Sequence, residues 1–303
     1  MISIIKQRTV WFTISSLLAV VSLIAIFGWG LRLGIDFTGG SLLEVEFSQQ
    51  PPTNTEIITA LQSLEIGSVT VQQSEASVLI RFAAADEETH QKILTTLSDK
   101  FANQSQNQIT EKRFDSIGPS IGAELKQKTI WGIVIAVVGI IIYIAWAFRK
   151  VSQPVSSWKY GVIAAIALAH DVLITTGVFA VLGILYGVEI NAPFVAAILT
   201  VLGYSVNDTI VVFDRTRENL KRHFGKDFSE VVDESIQQVI TRSINASATT
   251  LLALFAVLLL GGPTVRDFIL ALIVGISVGT YSSIFVAIPL LVTWHRLKNK
   301  PIS

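Results

Sequence analysis

The sequence predicts a polytopic α-helical membrane protein with six transmembrane helices and one small ferredoxin-like α+β domain between helices 1 and 2. Of its 303 residues, 51% are hydrophobic and only 15% are charged, a more apolar balance than ordinary soluble domains have. The apolar residues form runs long enough to cross a bilayer at 1.5 Å of helical rise per residue. Between the first two runs lies a segment of about ninety residues with mixed strand and helix patterns.

Residues 1–33 are predicted to form transmembrane helix 1. Lys6 and Arg8 precede an uncharged run over residues 9–31, which is long enough to span a bilayer with some tilt. The run is too long for a signal-peptide core and has no small-residue cleavage site, so it predicts a retained signal anchor. The amino terminus is then expected in the cytoplasm.

Residues 34–128 are predicted to form the α+β domain, because strand-like alternation and helical spacing follow one another there. The strands are predicted at 41–47, 69–73, 77–82 and 108–114, and the helices at 53–64 and 86–101. This β-α-β-β-α-β order is the ferredoxin-like split motif. The motif GIDFTGGS precedes it and supplies the candidate residues Gly34, Asp36, Phe37, Gly39 and Gly40.

Residues 129–303 are predicted to contain transmembrane helices 2–6, at 129–148, 161–186, 193–219, 244–260 and 268–294. A separate amphipathic helix is predicted near 228–242, where Asp227 and Glu230 have the spacing of a capping box. Basic residues gather before helix 1 and after helices 2, 4 and 6. By the positive-inside rule both termini and the amphipathic helix are cytoplasmic, and the α+β domain is extracytoplasmic.

Few ionisable residues lie in the interiors of the predicted spans or at the start of helix 5. They are His170 and Asp171 in helix 3, Asp208 in helix 4 and Arg242 at the start of helix 5. An unpaired Asp at mid-membrane costs about 2.5 to 3.5 kcal/mol, which a partner, water or an added proton offsets. Asp208 is therefore predicted to be functional, and Asn207 beside it offers hydrogen bonds to either protonation state.

The rise of the helices places both acids below the membrane surface. Asp171 lies about 20 Å along its helix from Trp158, and Asp208 lies about 22 Å from Pro193 on the opposite side. The rise alone does not put the two carboxylates at one depth. Asp171 with His170 has an equally good interpretation as a structural contact between helices.

Two other groups of charges have simple structural interpretations. Arg242 sits where a basic side chain extends to lipid headgroups, and its sequence position alone favours that role. Asp214 is predicted to pair with Arg217 or Arg215 at the exit of helix 4.

Small residues predict where helices approach closely. Gly275 and Gly279 form a GxxxG step in helix 6, and Gly161, Ala165 and Ala169 share one stripe of helix 3.

The sequence excludes several classes of function. Residues 275–279 match the GxSxG nucleophile pattern, but they lie in an apolar helix instead of a strand-to-helix turn. Phosphate-loop and HExxH zinc motifs are absent, and there is no cysteine. The net charge of zero gives no indication of nucleic-acid binding. The sequence therefore predicts no enzyme, no catalytic residue, no metal site and no cofactor.

Six motifs, in order along nearly the whole chain, resemble the SecF family of protein-export membrane subunits, which is related to the resistance, nodulation and division transporters. They are GIDFTGGS, GPSIGAEL, the His170–Asp171 pair, GYSVNDTIVVFDRTREN, TRSINASATTLL and GGPTVRDF with GTYSSIFVAIPL. Thr216 and Ala246 depart from the residues common at those positions, and neither is ionisable.

The resemblance implies a heteromer with SecD beside the protein-conducting channel SecYEG, in a lipid bilayer, acting on a translocating preprotein. It implies that Asp208 responds to protons, with Arg242 as its basic counterpart and Asn207, Asp214 and Arg215 in the same motif. His170 and Asp171 are further candidates for proton coupling. The expected location is the bacterial plasma (inner) membrane, with a thylakoid membrane as the alternative.

The expected function is promotion of late steps of protein export at the expense of the proton motive force. One alternative is a scaffold subunit without ion coupling of its own, in which the buried polar residues only assemble the helices. Another is an exporter of small molecules or lipids, against which the single compact outer domain argues.

Overall fold

The computed structural model describes residues 3–73, 77–102, 107–149, 156–222 and 225–298. The chain divides into two compact units, a helical unit of Met1–Arg32 with Trp131–Ser303 and an α+β unit of Leu33–Ile130. In chain order the elements are α1 (Arg8–Trp29), α2 (Ile35–Thr38), β1 (Gly40–Phe47), α3 (Asn54–Leu61), β2 (Thr70–Gln73), β3 (Val78–Phe82), α4 (Glu87–Leu97), β4 (Ile109–Ile117), α5 (Pro119–Ala147), α6 (Ser157–Tyr186), α7 (Ala192–Arg222), α8 (Phe228–Leu260), α9 (Pro263–Ser282), a π-helical turn (Ser283–Ala287) and α10 (Ile288–Lys298).

The α+β unit is built on a four-stranded antiparallel sheet with the strand order β2-β3-β1-β4. This is the order of the ferredoxin-like fold, so the predicted topology is confirmed. Alternation along β1 directs Leu43, Val45 and Phe47 to one face of the sheet. Together with Ile57 of α3 and Ile93 of α4, they form a buried core.

Side-chain caps fix where the two long helices of the α+β unit begin. Thr53 caps α3 and forms a reciprocal capping box with Glu56. Asp86 caps α4 by accepting a hydrogen bond from the backbone amide of Thr89. These hydrogen bonds hold the pKa values of the Glu56 and Asp86 carboxyls below their usual range, with the backbone amide as the largest cause in each case.

The glycines of GIDFTGGS allow a backbone contact within the α+β unit. Gly39 has φ = 73° and Gly40 has φ = 126°, conformations that a side chain disfavours. A Cβ on Gly39 would lie 2.7 Å from Pro119 Cα, and one on Gly122 would lie 2.9 Å from Gly39 N. The segment after α1 therefore packs directly against the start of α5, and Phe37 beside it is buried.

Among the described residues, six helices are long and apolar enough to cross a membrane. They are α1, α5, α6, α7, α8 and the combination of α9, the π-helical turn and α10. A polytopic membrane protein with six transmembrane helices, as predicted, is therefore confirmed. Helix α5 begins at Pro119, earlier than the predicted start at residue 129.

The amphipathic segment 228–242 is not a separate helix. It forms the first half of α8, which continues without a break from Phe228 to Leu260. The reason is local, since neither Gly nor Pro occurs between these residues. Asp227 caps this long helix by accepting a hydrogen bond from the backbone amide of Ser229.

Helices α7 and α9 cross at the GxxxG step. A Cβ on Gly275 would lie 2.3 Å from Val201 Cγ2, and one on Gly279 would lie 2.9 Å from Ser205 Cβ. The two glycines therefore allow the helices to touch through Val201 and Ser205, as the small-residue pattern suggests.

In the predicted small-residue stripe of α6, Gly161 lies at a close contact between helices. A Cβ on Gly161 would lie 3.0 Å from the backbone oxygen of Ile141 in α5. Ala165 is half-buried and Ala169 is exposed, so close packing along the rest of the stripe stays a prediction. A close contact that the sequence analysis missed is between Gly177 and Ser22 of α1, where a Cβ would lie 2.3 Å from Ser22 Cβ.

Candidate functional site

Asp171 is a fully buried carboxylate with three side-chain partners. One oxygen, Oδ2, accepts hydrogen bonds from Ser205 Oγ of α7 at 2.6 Å and from Ser282 Oγ of α9 at 2.8 Å. The other, Oδ1, lies 3.0 Å from His170 Nδ1. Asp171 therefore joins three helices of the helical unit.

Asp208 is a half-buried carboxylate whose two oxygens each have a serine partner. Ser243 Oγ of α8 donates to Oδ1 at 2.5 Å, and Ser283 Oγ donates to Oδ2 at 2.5 Å. Asp208 thus links α7 to α8 and to the π-helical turn.

The two carboxylates are bound by consecutive residues, Ser282 and Ser283, and therefore lie at one level of the helical unit. We call Asp171, Asp208 and their four serine partners the carboxylate site; the serines are Ser205, Ser243, Ser282 and Ser283.

The π-helical turn that begins at Ser283 has a cause in the sequence. Pro289 follows in α10 and has no amide hydrogen, and its ring conflicts with the carbonyl group four residues earlier, at Phe285. A π-helical turn widens the helix at this place, and such turns are frequent at functional sites. Pro289 therefore accounts for the local geometry that places Ser283 against Asp208.

A second group of polar side chains connects the site to α1. Tyr281 OH contacts Ser15 Oγ at 3.0 Å and donates to the backbone oxygen of Trp11 at 3.2 Å. The ring of Tyr281 stacks on that of His170, with 6.4 Å between centroids. The His170–Asp171 pair is thereby held from the side of α1 as well.

Comparison with known proteins now gives the family. Residues 96–297 match the family model described as the protein export membrane protein SecD/SecF, C-terminal, and residues 24–51 match the SecD/SecF GG motif. The first match alone covers more than half of the chain. This chain belongs to the SecD/SecF family.

Relatives of the family resemble the chain over almost its whole length. The protein translocase subunit SecF of Thermobaculum terrenum is 41% identical, over 98% of this chain and 95% of the relative. The protein translocase subunit SecF of Anaerolinea thermophila is 39% identical, over 97% of this chain and 94% of the relative.

A solved structure also resembles the chain. The crystal structure of SecDF from Thermus thermophilus, a translocon-associated membrane protein, matches with a TM-score of 0.83 at 32% identity, over 97% of this chain. This chain spans only 39% of the length of that solved chain.

The structure does not bring every predicted site residue to the carboxylates. Asn207 and Arg242 are both exposed. Asp208 and Arg242 form no ion pair; the neighbour of Arg242, Ser243, is the residue of α8 that binds Asp208. The proposed pairing of Asp208 with Arg242 thus stays a prediction.

The charges at the end of α7 form a separate group. Asp214 pairs with Arg217 at 3.4 Å, as one of the two predicted pairings expects. Arg215 binds Glu218 at 2.6 Å and Gln238 of α8 at 2.5 Å. Arg215 thus joins α7 to α8 through Gln238, whereas the two ion pairs lie within α7.

Sequence analysis missed the serine ligands, although every one lies in a motif that it quoted. Within the described residues no cluster of His, Cys, Asp and Glu is suited to bind a metal ion. A hydroxyl group both donates and accepts, so it can bind an ionised or a protonated carboxyl group. The carboxylate site therefore has the chemistry to hold a proton or to release it.

Proposed function

We propose that this chain is the SecF-type subunit of a protein translocase, which works with SecD and uses the proton motive force to promote late steps of protein export. The observation that carries the proposal is the carboxylate site, where two acids lie at one level within candidate membrane-spanning helices. The relatives are named protein translocase subunit SecF, which supports the translocase assignment.

Proton uptake at Asp208 supplies the coupling in this proposal. The serine hydroxyls offset the cost of a buried charge, but they carry no positive charge that would neutralise it. A proton that reaches Asp208 removes the charge, which changes what α7 can pack against. Movement of one charge through 100 mV is worth about 2.3 kcal/mol, so repeated cycles can bias a chain that otherwise slides back.

SecD is the proposed partner, and it would cover polar side chains that this chain leaves exposed. Asn207 and Arg242 are exposed although both lie in candidate membrane-spanning helices. Such side chains are expensive in contact with lipid. The SecDF structure is longer than this chain, which supports a second set of helices as the covering surface. Arg242 would there approach Asp208 more closely or bind a partner acid.

The remaining assignments follow from this role. The channel SecYEG and the translocating preprotein are the proposed further partners, and the α+β unit is proposed to be extracytoplasmic, where the preprotein emerges. The multi-pass chain would lie in the bacterial plasma membrane with both termini in the cytoplasm, a thylakoid membrane being the alternative.

A scaffold subunit is the second candidate function, and Asp171 favours it. Its carboxylate is fully buried and bound by Ser205, Ser282 and His170, which is the arrangement of a contact that joins helices. In that case the carboxylates would assemble the helical unit around SecD without ion coupling of their own.

The deciding experiment measures completion of preprotein translocation in inverted membrane vesicles after ATP is exhausted, with and without an imposed proton gradient. Asp208→Asn keeps the shape of the side chain and removes the titrating group. We expect the gradient-dependent part of translocation to disappear while SecD still copurifies. An undiminished gradient response, or loss of SecD from the complex, would favour the scaffold instead.

A further inference from the structure

The consecutive serines that bind the two acids are the feature of the carboxylate site that the proposed function does not explain. Ser282 contacts Asp171 and nothing of Asp208, whereas Ser283 contacts Asp208 and nothing of Asp171. We propose that Ser282 and Ser283 are positioning residues that couple the protonation of Asp208 to that of Asp171. This inference rests on the proposed function and names how the two acids communicate.

Each serine has a second acceptor for its single hydroxyl proton. Ser282 Oγ lies 2.8 Å from Asp171 Oδ2 and 3.2 Å from the backbone oxygen of Gly279. Ser283 Oγ lies 2.5 Å from Asp208 Oδ2 and 3.0 Å from the backbone oxygen of Thr280. Both hydroxyls can therefore turn between a carboxylate and their own helix.

The protonation state of the carboxyl group determines which acceptor the serine hydroxyl group faces. When Asp208 is ionised, Ser283 donates its hydroxyl proton to Oδ2. In the proposed step, Oδ2 takes up a proton and donates it to Ser283 Oγ, and the hydroxyl proton of Ser283 rotates to the backbone oxygen of Thr280. Ser282 can make the same change between Asp171 and Gly279. Neither serine gains or loses a proton overall.

The protonation states of the two acids are coupled because the hydroxyl groups of Ser282 and Ser283 lie on one turn of one helix and each exchanges a carboxylate acceptor for a carbonyl acceptor. The carbonyl acceptors belong to consecutive residues, Gly279 and Thr280, and the donors belong to consecutive residues too. Gly279 also packs against Ser205, the other hydroxyl donor to Asp171. A shift of this turn toward or away from Asp208 therefore alters the hydrogen bonds of Asp171.

The other polar side chains near the site hold the acids from elsewhere in the helical unit. Of the two acids, His170 contacts Asp171. Tyr281 stacks on His170 and binds α1. Ser243 binds Asp208 from α8. Ser282 and Ser283 are the described residues that are adjacent in the chain and bind different acids of the site.

The first test uses translocation in inverted vesicles driven by an imposed proton gradient, with SecD copurification checked for each variant. Ser282→Ala and Ser283→Ala are each expected to lower the gradient-dependent rate by about tenfold, the effect of losing one hydrogen bond to a charged group. The double variant should lose little more than either single variant, because the two residues act as a unit. Ser277→Ala is the matched control, since that hydroxyl binds the backbone oxygen of Ile273 in the same helix, and it should keep the rate.

A second pair of variants separates the hydroxyl from its packing. Ser283→Thr keeps the hydroxyl group and adds a methyl group. Ser283→Val has the same shape as Ser283→Thr but carries a methyl group in place of the hydroxyl. The rate of the Thr variant should exceed that of the Val variant by about tenfold. Equal rates would overturn the role of the hydroxyl even if both variants are impaired by their bulk.

The third measurement reads the coupling directly, from the infrared C=O stretching band of protonated Asp208 in the purified complex with SecD. The band is assigned by its loss in Asp208→Asn. We expect Ser282→Ala to move this band although Ser282 does not touch Asp208; an unmoved band would overturn the coupling.

The outcomes also distinguish this inference from the proposed function. If Asp208→Asn keeps the full gradient response, the proposed function fails and the coupling fails with it. If Asp208→Asn abolishes the response while both serine variants behave like Ser277→Ala, the coupling alone is overturned. A double variant that multiplies the two single effects to about a hundredfold also overturns it, because the serines would then act independently.

Discussion

Replacement of Gly275 with Ala tests whether the crossing of α7 and α9 determines the stability of the helical unit. The added Cβ would lie 2.3 Å from Val201 Cγ2, 2.9 Å from Cγ1 and 3.1 Å from Cβ. Carbon atoms at van der Waals contact are about 3.5 to 4.0 Å apart. Val201 is β-branched and has one strongly preferred rotamer in a helix, so rotation of its side chain away from the new Cβ would cost free energy. The helices must separate instead.

The magnitude follows from a comparison with Gly139→Ala. A Cβ on Gly139 would meet nothing within 4 Å, so that variant gains only the preference of a helix for Ala over Gly, up to about 1 kcal/mol. Gly275→Ala gains the same term and loses about 1 to 3 kcal/mol to overpacking. The difference between the two variants isolates the clash, and we expect Gly275→Ala to be less stable by about 1 to 3 kcal/mol.

The assay is equilibrium unfolding of the purified chain in mixed detergent micelles, followed by tryptophan fluorescence and circular dichroism. Val201→Ala in the Gly275→Ala background removes the clashing methyl groups, and it should restore much of the lost stability relative to Val201→Ala alone. If Gly275→Ala is as stable as Gly139→Ala, the close crossing of the two helices is refuted.

Two further predictions concern the α+β unit. Gly39→Ala should increase amide hydrogen exchange in the strand that follows, because Gly39 has φ = 73° and an added Cβ would lie 2.7 Å from Pro119 Cα. Gly118→Ala is the control, since its Cβ would meet nothing within 4 Å. Equal exchange in the two variants would contradict the backbone contact. The pKa of Glu56 is lowered, chiefly by the hydrogen bond from the backbone amide of Thr53. The ionised carboxylate should therefore stabilise the first turn of α3 at pH values above the usual pKa of 4.5. This stabilisation should be lost as the pH falls through the lowered pKa. Exchange protection of that turn between about pH 6 and pH 3, corrected for the intrinsic rate, measures the effect; Glu56→Gln should remove the pH dependence, and persistence of it would assign the effect to another group.

The elements with a strong pattern were predictable from the sequence. Long uncharged runs have few alternatives to membrane helices, and alternation in strands such as β1 determines which face is buried. The break predicted between 242 and 244 was wrong, because a change in charge pattern does not by itself interrupt the backbone hydrogen bonds of a helix. A helix without Gly or Pro has no local reason to end when its surroundings change from aqueous to apolar, and α8 continues through that boundary.

The serine ligands of the carboxylate site were not predictable by the same reasoning. Hydroxyl groups in membrane helices often bond to a carbonyl oxygen of their own helix, as Thr209 and Ser277 do. Nothing in the residue type distinguishes these from Ser205 or Ser283, which reach across to another helix. The distinction depends on where helices cross, and the crossing depends on side-chain packing at Gly275 and Gly279. Pro289 was a readable signal, since a proline within an apolar run indicates a local departure from the α-helix.

The distribution of charge within the helical unit indicates that the positive charge that compensates its acids comes from outside the chain. Asp171 and Asp208 receive hydrogen bonds from neutral serines, and His170 is the one ionisable base of the described residues that contacts either of them. Arg215 is bound to Glu218 and Gln238 at the end of α7. Arg242, one residue before a ligand of Asp208, is exposed. A buried acid and a half-buried acid with so little internal compensation are stable in a membrane if a proton, or a surface that also covers Arg242, supplies the missing positive charge. Both are features that the proposed pairing with SecD and the proton gradient would provide.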